Sequence, residues 1–304
     1  MNSLIIKLGA TGDVVRTTPL LRRLSGQITW LTDTKNIALL EGLKDNLRCA
    51  SWDQREFLPD IDYDLVINLE DSLEVGLYLK KLEFKQLFGA YVDSEDKLRY
   101  TDDSRRWFDL SLISSYGKDQ ADKLKFRNRH TYQELIFDGL GLRFAGEVYM
   151  LPAPIQTGLS GDVAIAAEAG AVWPMKKWAY YDQLKQRLED QGLTVNVLPK
   201  RSSLLEHLAD VASHRCLVGG DSLPMHFALG TTTRCVSLFT CTSPWEIYDY
   251  GVQKKLVSPL LEEFFYKRGY GERATTAISV TEVECAVLEQ LEAAQSVGND
   301  ATVK

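Results

Sequence analysis

Cysteine is scarce and scattered: Cys49, Cys216, Cys235, Cys241 and Cys285 are the five in 304 residues, and no two form a Cys-x-x-Cys pair. That count and spacing argue against a disulfide scaffold and against a thiolate zinc site, so a reducing cytoplasm is the expected compartment. A basic excess is missing too. Lys and Arg number 35 against 42 Asp and Glu, a net charge of -7, which argues against nucleic acid as a partner because neutralising phosphates needs a cationic surface. No apolar run approaches the roughly 18 residues of a membrane helix, and the N-terminus lacks a charged segment followed by a long apolar stretch. The expectation is a soluble protein whose only membrane contact would be peripheral, on the cytoplasmic face of the inner membrane. There is no low-complexity segment.

Hydrophobic residues make up 45% of the chain, enough for a sizeable core, and the length suits two domains of about 150 residues. Short apolar runs alternate with longer amphipathic ones, the signature of βα units and a mainly parallel sheet. Strands are predicted at residues 4–8, 27–31, 64–69 and 87–92, with a helix over 14–24. Residues 151–158, with Pro152, Pro154 and Gly158 and no periodicity, read as a linker, placing domains at 1–153 and 154–304. The pattern then restarts, with strands at 162–167, 194–198, 216–218 and 234–239, a helix over 179–191 that Gly192 ends, and a closing helix over 280–294 before a tail frayed from Ser296.

Three segments carry chemistry. The run ending at Leu8 breaks at Gly9-Ala10-Thr11-Gly12-Asp13 and feeds a helix, an arrangement that leaves backbone N–H groups and a positive dipole end at the crevice. Asp13 there is either a helix-capping aspartate or a general base that takes a proton from an acceptor hydroxyl, ionised but only weakly basic. In Trp173-Pro174-Met175-Lys176-Lys177-Trp178, tryptophan and proline on both sides of a lysine would stiffen the loop and hold an ammonium for a leaving phosphate; a solvated lysine pair beside a packing tryptophan is the alternative. Gly219-Gly220-Asp221-Ser222 breaks a second strand and starts a second helix. Ser222 and the N–H groups after it could cradle a diphosphate, or form an ordinary N-cap above a core histidine, His226.

Taken in order, residues 12–21, 173–178 and 220–230, followed by Leu238-Phe239 and Thr242-Ser243-Pro244, resemble the successive signatures of the heptosyltransferase-like glycosyltransferases of family 9. The resemblance implies an α/β protein of GT-B fold, two Rossmann-like domains with mainly parallel sheets facing across a cleft, the acceptor bound by the first and a nucleotide-activated sugar by the second. It implies inverting transfer of a sugar such as heptose from a nucleotide diphosphate donor, for instance ADP-heptose, to a saccharide or glycolipid such as a lipopolysaccharide core, without a metal or further cofactor. By position Asp13 takes the base role and Lys176 the phosphate-binding role. Asp221, Ser222 and Leu223 form the donor-binding turn, and His226 supports it. Gly12, Arg16, Arg127 and Arg129 fall on the acceptor side. The chain departs from the pattern at Leu223, where members commonly carry glycine, and between Leu198 and Asp221, a shortened stretch in which only Glu206 is a candidate for the family's ribose-binding acid.

Other patterns compete with this reading. Gly9-Ala10-Thr11-Gly12, Asp33 at the end of the second strand and the pair Tyr181 and Lys185 imitate a short-chain dehydrogenase, but Val15 stands where the third glycine of that fingerprint belongs. A homologue that binds a nucleotide sugar without turning it over is a further alternative. Asp60-Ile61-Asp62-Tyr63-Asp64 imitates a metal clamp and reads better as a solvated turn. Lys118, Lys123, Lys125, Arg127, Arg129 and His130, with Arg105 and Arg106 upstream, form either a solvated helix face or a surface for an anionic acceptor.

Overall fold

The computed structural model describes residues 1–300, with side chains to residue 294. The chain divides into two compact units, Met1–Pro152 and Ala153–Lys304. In the first, β1 (Asn2–Ile6), β2 (Gln27–Thr32), β3 (Leu47–Ser51), β4 (Tyr63–Asn68), β5 (Phe84–Val92) and β6 (Leu98–Tyr100) form one sheet in the order β3-β2-β1-β4-β5-β6. Every pairing is parallel except that of β5 with β6. Strand β1 explains the layering. Ile5 packs with Val14, Leu20, Trp30, Tyr132 and Phe137 on one face, while Leu4 and Ile6 pack with Val66, Val75 and Leu79 on the other. A parallel strand covered on both sides needs this unbroken apolar run.

Helix α1 (Thr11–Thr17) gives way to a tighter turn over Thr18–Arg22, where the sequence suggests one helix over 14–24. Pro19 is the reason. It has no N–H to offer the carbonyl of Val15, and the Thr18 hydroxyl donates to that carbonyl instead, at 2.7 Å. Further along, α2 (Leu73–Leu79) starts at Ser72, whose hydroxyl accepts from the N–H of Val75. Helices α3 (Lys118–Arg127) and α4 (Tyr132–Gly139) follow, α4 behind a capping box of Thr131 and Glu134.

The second unit holds β7 (Gly161–Ala166), β8 (Val195–Val197), β9 (His214–Gly220), β10 (Arg234–Phe239) and β11 (Gln253–Val257), all parallel, in the order β11-β10-β9-β7-β8. Helix α5 (Tyr181–Glu189) and α8 (Val280–Asp300) cover one face, where Leu184, Leu188, Val283 and Val287 close over Val163, Ile165, Val218 and Val236. Helices α6 (Leu204–Ala212) and α7 (Leu223–Thr231) pack together and against β9 on the other. Helix α8 continues past the expected end at 294, so the tail expected from Ser296 begins as helix, and residues 301–304 lie outside the described residues. No helix among the described residues is long and apolar enough to cross a membrane.

Strand order locates the crevices. The five parallel strands of the first unit follow a 3-2-1-4-5 winding, which reverses between β1 and β4; the second follows 2-1-3-4-5, which reverses between β7 and β9. Ligands of doubly wound sheets bind outside the carboxyl ends of the strands at such switch points. Gly89, near the end of β5, supports the first: its φ is +121°, and a Cβ there would meet the carbonyl oxygen of Asn68, the last residue of β4, at 1.8 Å. We expect Gly89→Ala to lower unfolding free energy by at least about 2 kcal/mol from backbone strain and overlap; an unchanged urea midpoint would contradict the account.

Candidate functional site

At the first switch point a cation and two acids meet. Lys7, directly after β1, is 7% exposed. Its ammonium donates to Glu70 at 2.7 Å and lies 3.9 Å from the carboxylate of Asp13. Glu70 also accepts the N–H of Leu8 at 2.7 Å and is itself held by its neighbour, since its N–H donates to the buried Asn68 side chain at 3.0 Å. Asp13 does not take the capping role. The residue before α1 is Ala10, and the Asp13 carboxylate instead pairs with Arg16 one turn on, at 2.9 Å. The Arg16 guanidinium lies 4.0 Å over the ring of Tyr132, while the Tyr132 hydroxyl meets that of Thr17 at 2.6 Å. Burial, then the nearby Asp13 charge, push the Tyr132 phenol well above its ordinary range. Asp13 thus sits partly open to solvent, between two cations. Lys7, Asn68 and Glu70 are not among the candidate site residues of the sequence reading, because no glycine or proline turn singles them out and their partners are distant in the chain.

The other first-unit candidates separate. Gly12 lies in the first turn of α1. Arg127 lines a pocket of about 360 Å³ with Arg106, Tyr116 and His130, whereas Arg129 donates to the carbonyls of Phe126 and Asn128 at the end of α3. Asp64 of the acidic triplet is taken up by the Lys85 ammonium at 2.6 Å and the Asn2 N–H at 2.8 Å.

At the second switch point Lys176 ends a short helical turn after Pro174. Trp178, 1% exposed, anchors the segment by donating to the carbonyl of Ile278 at 2.8 Å, and Thr240 ties down the Met175 carbonyl at 2.7 Å. The ammonium donates to the Asp221 carbonyl at 2.7 Å and to its carboxylate at 3.1 Å. An ammonium has three N–H donors, so one remains uncommitted. Gly220 permits the approach, since a Cβ there would stand 2.8 Å from the carbonyl oxygen of Lys176. Ser222 precedes α7 without a side-chain cap bond, and His226 is buried in that helix. Leu223 has no positive φ, so its backbone makes no demand for glycine.

A pocket of about 460 Å³ opens beside Ser222 and Leu223, floored by the loop after β7 and the turn from β8 into α6. Glu206 is not among its lining residues; Lys200, Arg201, Ser203 and His207 are. Arg201 makes a bidentate pair with the fully buried Asp210 at 2.6 and 3.0 Å. The dehydrogenase pair is not assembled: Tyr181 is in the core of the second unit, and the Lys185 ammonium bonds Glu189 on the helix surface.

The Arg201 pair has a pH signature. Burial pushes the Asp210 carboxyl up, but the Arg201 guanidinium, with help from the Thr157 hydroxyl, outweighs it and holds the group below its ordinary value. A folded value below the unfolded one of about 3.9 means that stability from the pair is present above about pH 4 and is lost as pH falls through the folded value. Arg201→Ala should therefore lower the urea midpoint at pH 7, with the gap to wild type closing on acidification; a gap constant between pH 7 and pH 3 would refute the pairing.

Residues 171–266 match the sequence model of glycosyltransferase family 9 (heptosyltransferase). No curated protein matches the chain. Among solved structures, the chain resembles Escherichia coli heptosyltransferase WaaC with ADP-2-deoxy-2-fluoro heptose at 15% identity and a TM-score of 0.61, covering 95% of this chain and 99% of that one. It resembles a family 9 glycosyl transferase from Veillonella parvula at 17% identity and 0.67, covering 95% and 97%, and E. coli ADP-heptose lps heptosyltransferase II at 13% and 0.60, covering 97% and 100%. The likeness to these solved structures shows the GT-B fold, and the part of the second unit from residue 171 to 266 is similar to the heptosyltransferase-like glycosyltransferases of family 9.

Proposed function

We propose that this glycosyltransferase moves a sugar, a heptose or a close relative, from a nucleoside diphosphate donor to a hydroxyl of a saccharide or glycolipid acceptor such as a lipopolysaccharide core, in one inverting displacement. The observation that carries the proposal is the Lys176 ammonium, oriented by Asp221 beside the start of α7 with one N–H left over. Structural relatives bound to ADP or an ADP-heptose analogue support the donor class. No metal or further cofactor enters the proposal.

In this mechanism Asp13 accepts the proton of the acceptor hydroxyl, and the oxygen attacks the anomeric carbon as its bond to the diphosphate oxygen breaks. The diphosphate leaves with the bonding pair. Negative charge grows on it during the step, and a preorganised ammonium with backbone donors stabilises such charge without reorganising. The Lys7 ammonium and the Arg16 guanidinium stand on either side of the Asp13 carboxylate. Arg16 fixes the carboxylate direction, Glu70 holds Lys7 in place, and Gly12 lies beside Asp13 in the first turn of α1. Arg127 and Arg129 stand with the basic run that would meet an anionic acceptor, at the cytoplasmic face of the membrane if that acceptor is a lipid.

Transfer is read from nucleotide release and glycoside formation with a panel of nucleoside diphosphate sugars. Asp13→Asn should cut turnover by about 10² to 10⁴ with donor affinity nearly intact; loss of donor binding instead would make the residue structural. Lys176→Ala should remove about 2 to 4 kcal/mol of transition-state stabilisation, and wild-type kinetics in that variant would refute its role.

A further inference from the structure

The pocket beside α7 fits the nucleoside end of a donor in size, since small-molecule sites begin near 300 Å³ and this one measures about 460 Å³. Doubly wound folds commonly hold a ribose with an acid placed after the second strand. Here that strand is β8, and the turn that follows offers Lys200 and Arg201. Arg201 is committed to Asp210, Glu206 is not a lining residue, and the pocket's one acid, Glu168, is strongly exposed and paired with Lys177 at 3.0 Å. His207, one turn into α6, lines the pocket and is a different kind of group. Its ring stands edge-on to Phe227 at 5.8 Å between centroids, which fixes its plane. Its Nδ1 is shielded from solvent and has no hydrogen-bond partner. A nitrogen closed to water is closed to a ligand hydroxyl too, so a ligand in the pocket meets the ring at its other nitrogen, Nε2, which is not shielded in this way.

We propose that His207 is the specificity-determining residue for the nucleoside, binding a ribose hydroxyl where related folds use a carboxylate. Burial lowers the basicity of the imidazole, with Asp210 opposing and Arg201 adding to the effect. The ring is thus neutral at pH 7, with one donor and one acceptor nitrogen. A carboxylate accepts from both hydroxyls of a ribose, whereas one imidazole nitrogen serves a single hydroxyl. Removing that hydroxyl should matter more than removing its neighbour.

The inference rests on the donor reading above, and one titration series separates the two. Isothermal titration of the full chain with ADP, GDP, UDP and CDP selects the tightest nucleotide, which is then compared with its 2′-deoxy and 3′-deoxy forms and with pyrophosphate. Wild type should bind one deoxy form about tenfold more weakly, the value of one neutral hydrogen bond. His207→Phe should lose that discrimination while keeping pyrophosphate affinity, and His207→Gln should restore part of it. If the phenyl ring is not accommodated, His207→Ala takes the same comparison. Discrimination unchanged in these variants, or pyrophosphate binding lost with it, overturns the assignment of His207 alone. Wild type that binds none of the four nucleotides ends the donor reading and this inference together.

Discussion

The central strands of both sheets are buried on both faces, and that constraint governs where polar groups can go. Leu4, Ile5 and Ile6 in β1, and Cys216, Leu217 and Val218 in β9, are almost wholly shielded. A polar side chain within those runs would lose its water without a partner. The chain therefore changes character at the carboxyl ends, from aliphatic to Lys7 after one strand and from aliphatic to Gly219, Gly220 and Asp221 in the other. Parallel winding places a helix start at each of those ends, so charged groups and helix N-termini collect on the same edge.

Charges so placed are half-buried and must be paired. Lys7 is satisfied by Glu70, Lys176 by Asp221, and Arg201 by Asp210. Each pair does more than neutralise. Glu70 holds the Lys7 ammonium between itself and Asp13. Asp221 takes two of the three donors of Lys176 and fixes the place of its ammonium. Asp210 takes up the Arg201 guanidinium at the edge of the pocket that His207 also lines. Charge pairing thus decides which side chains remain available for chemistry.

Most of the fold was legible. Strands β1, β2, β4, β5, β7, β8, β9 and β10 were foreseen to within a few residues, since a covered parallel strand writes an unbroken apolar run. Strands β3, β6 and β11 were not, and all three lie at sheet edges, where a sequence such as Gln253-Lys254-Lys255-Leu256-Val257 need bury only part of its side chains. The interruption of the first helix at Pro19 was readable in principle, but the apolar spacing of Leu20, Leu21 and Leu24 masked it. Asp13, Lys176, Asp221 and Ser222 stood out because glycine or proline marks the turns that carry them. Lys7, Asn68, Glu70 and His207 carry no such mark. They matter through neighbours 20 to 63 positions distant, and no local pattern records a partner so far away.

By itself the sequence determined the α/β alternation, the doubly wound class and the glycine turns from which Asp13 and Asp221 project, because these follow from periodicity and from backbone freedom, both local properties. Tertiary structure alone decided which charges are paired. It tied Arg201 to Asp210, placed Glu70 rather than a more distant acid against Lys7, and kept Glu206 out of the pocket that His207 lines. Those outcomes depend on strand order and on which side chains lose their water together, and both are settled only when the sheet is assembled.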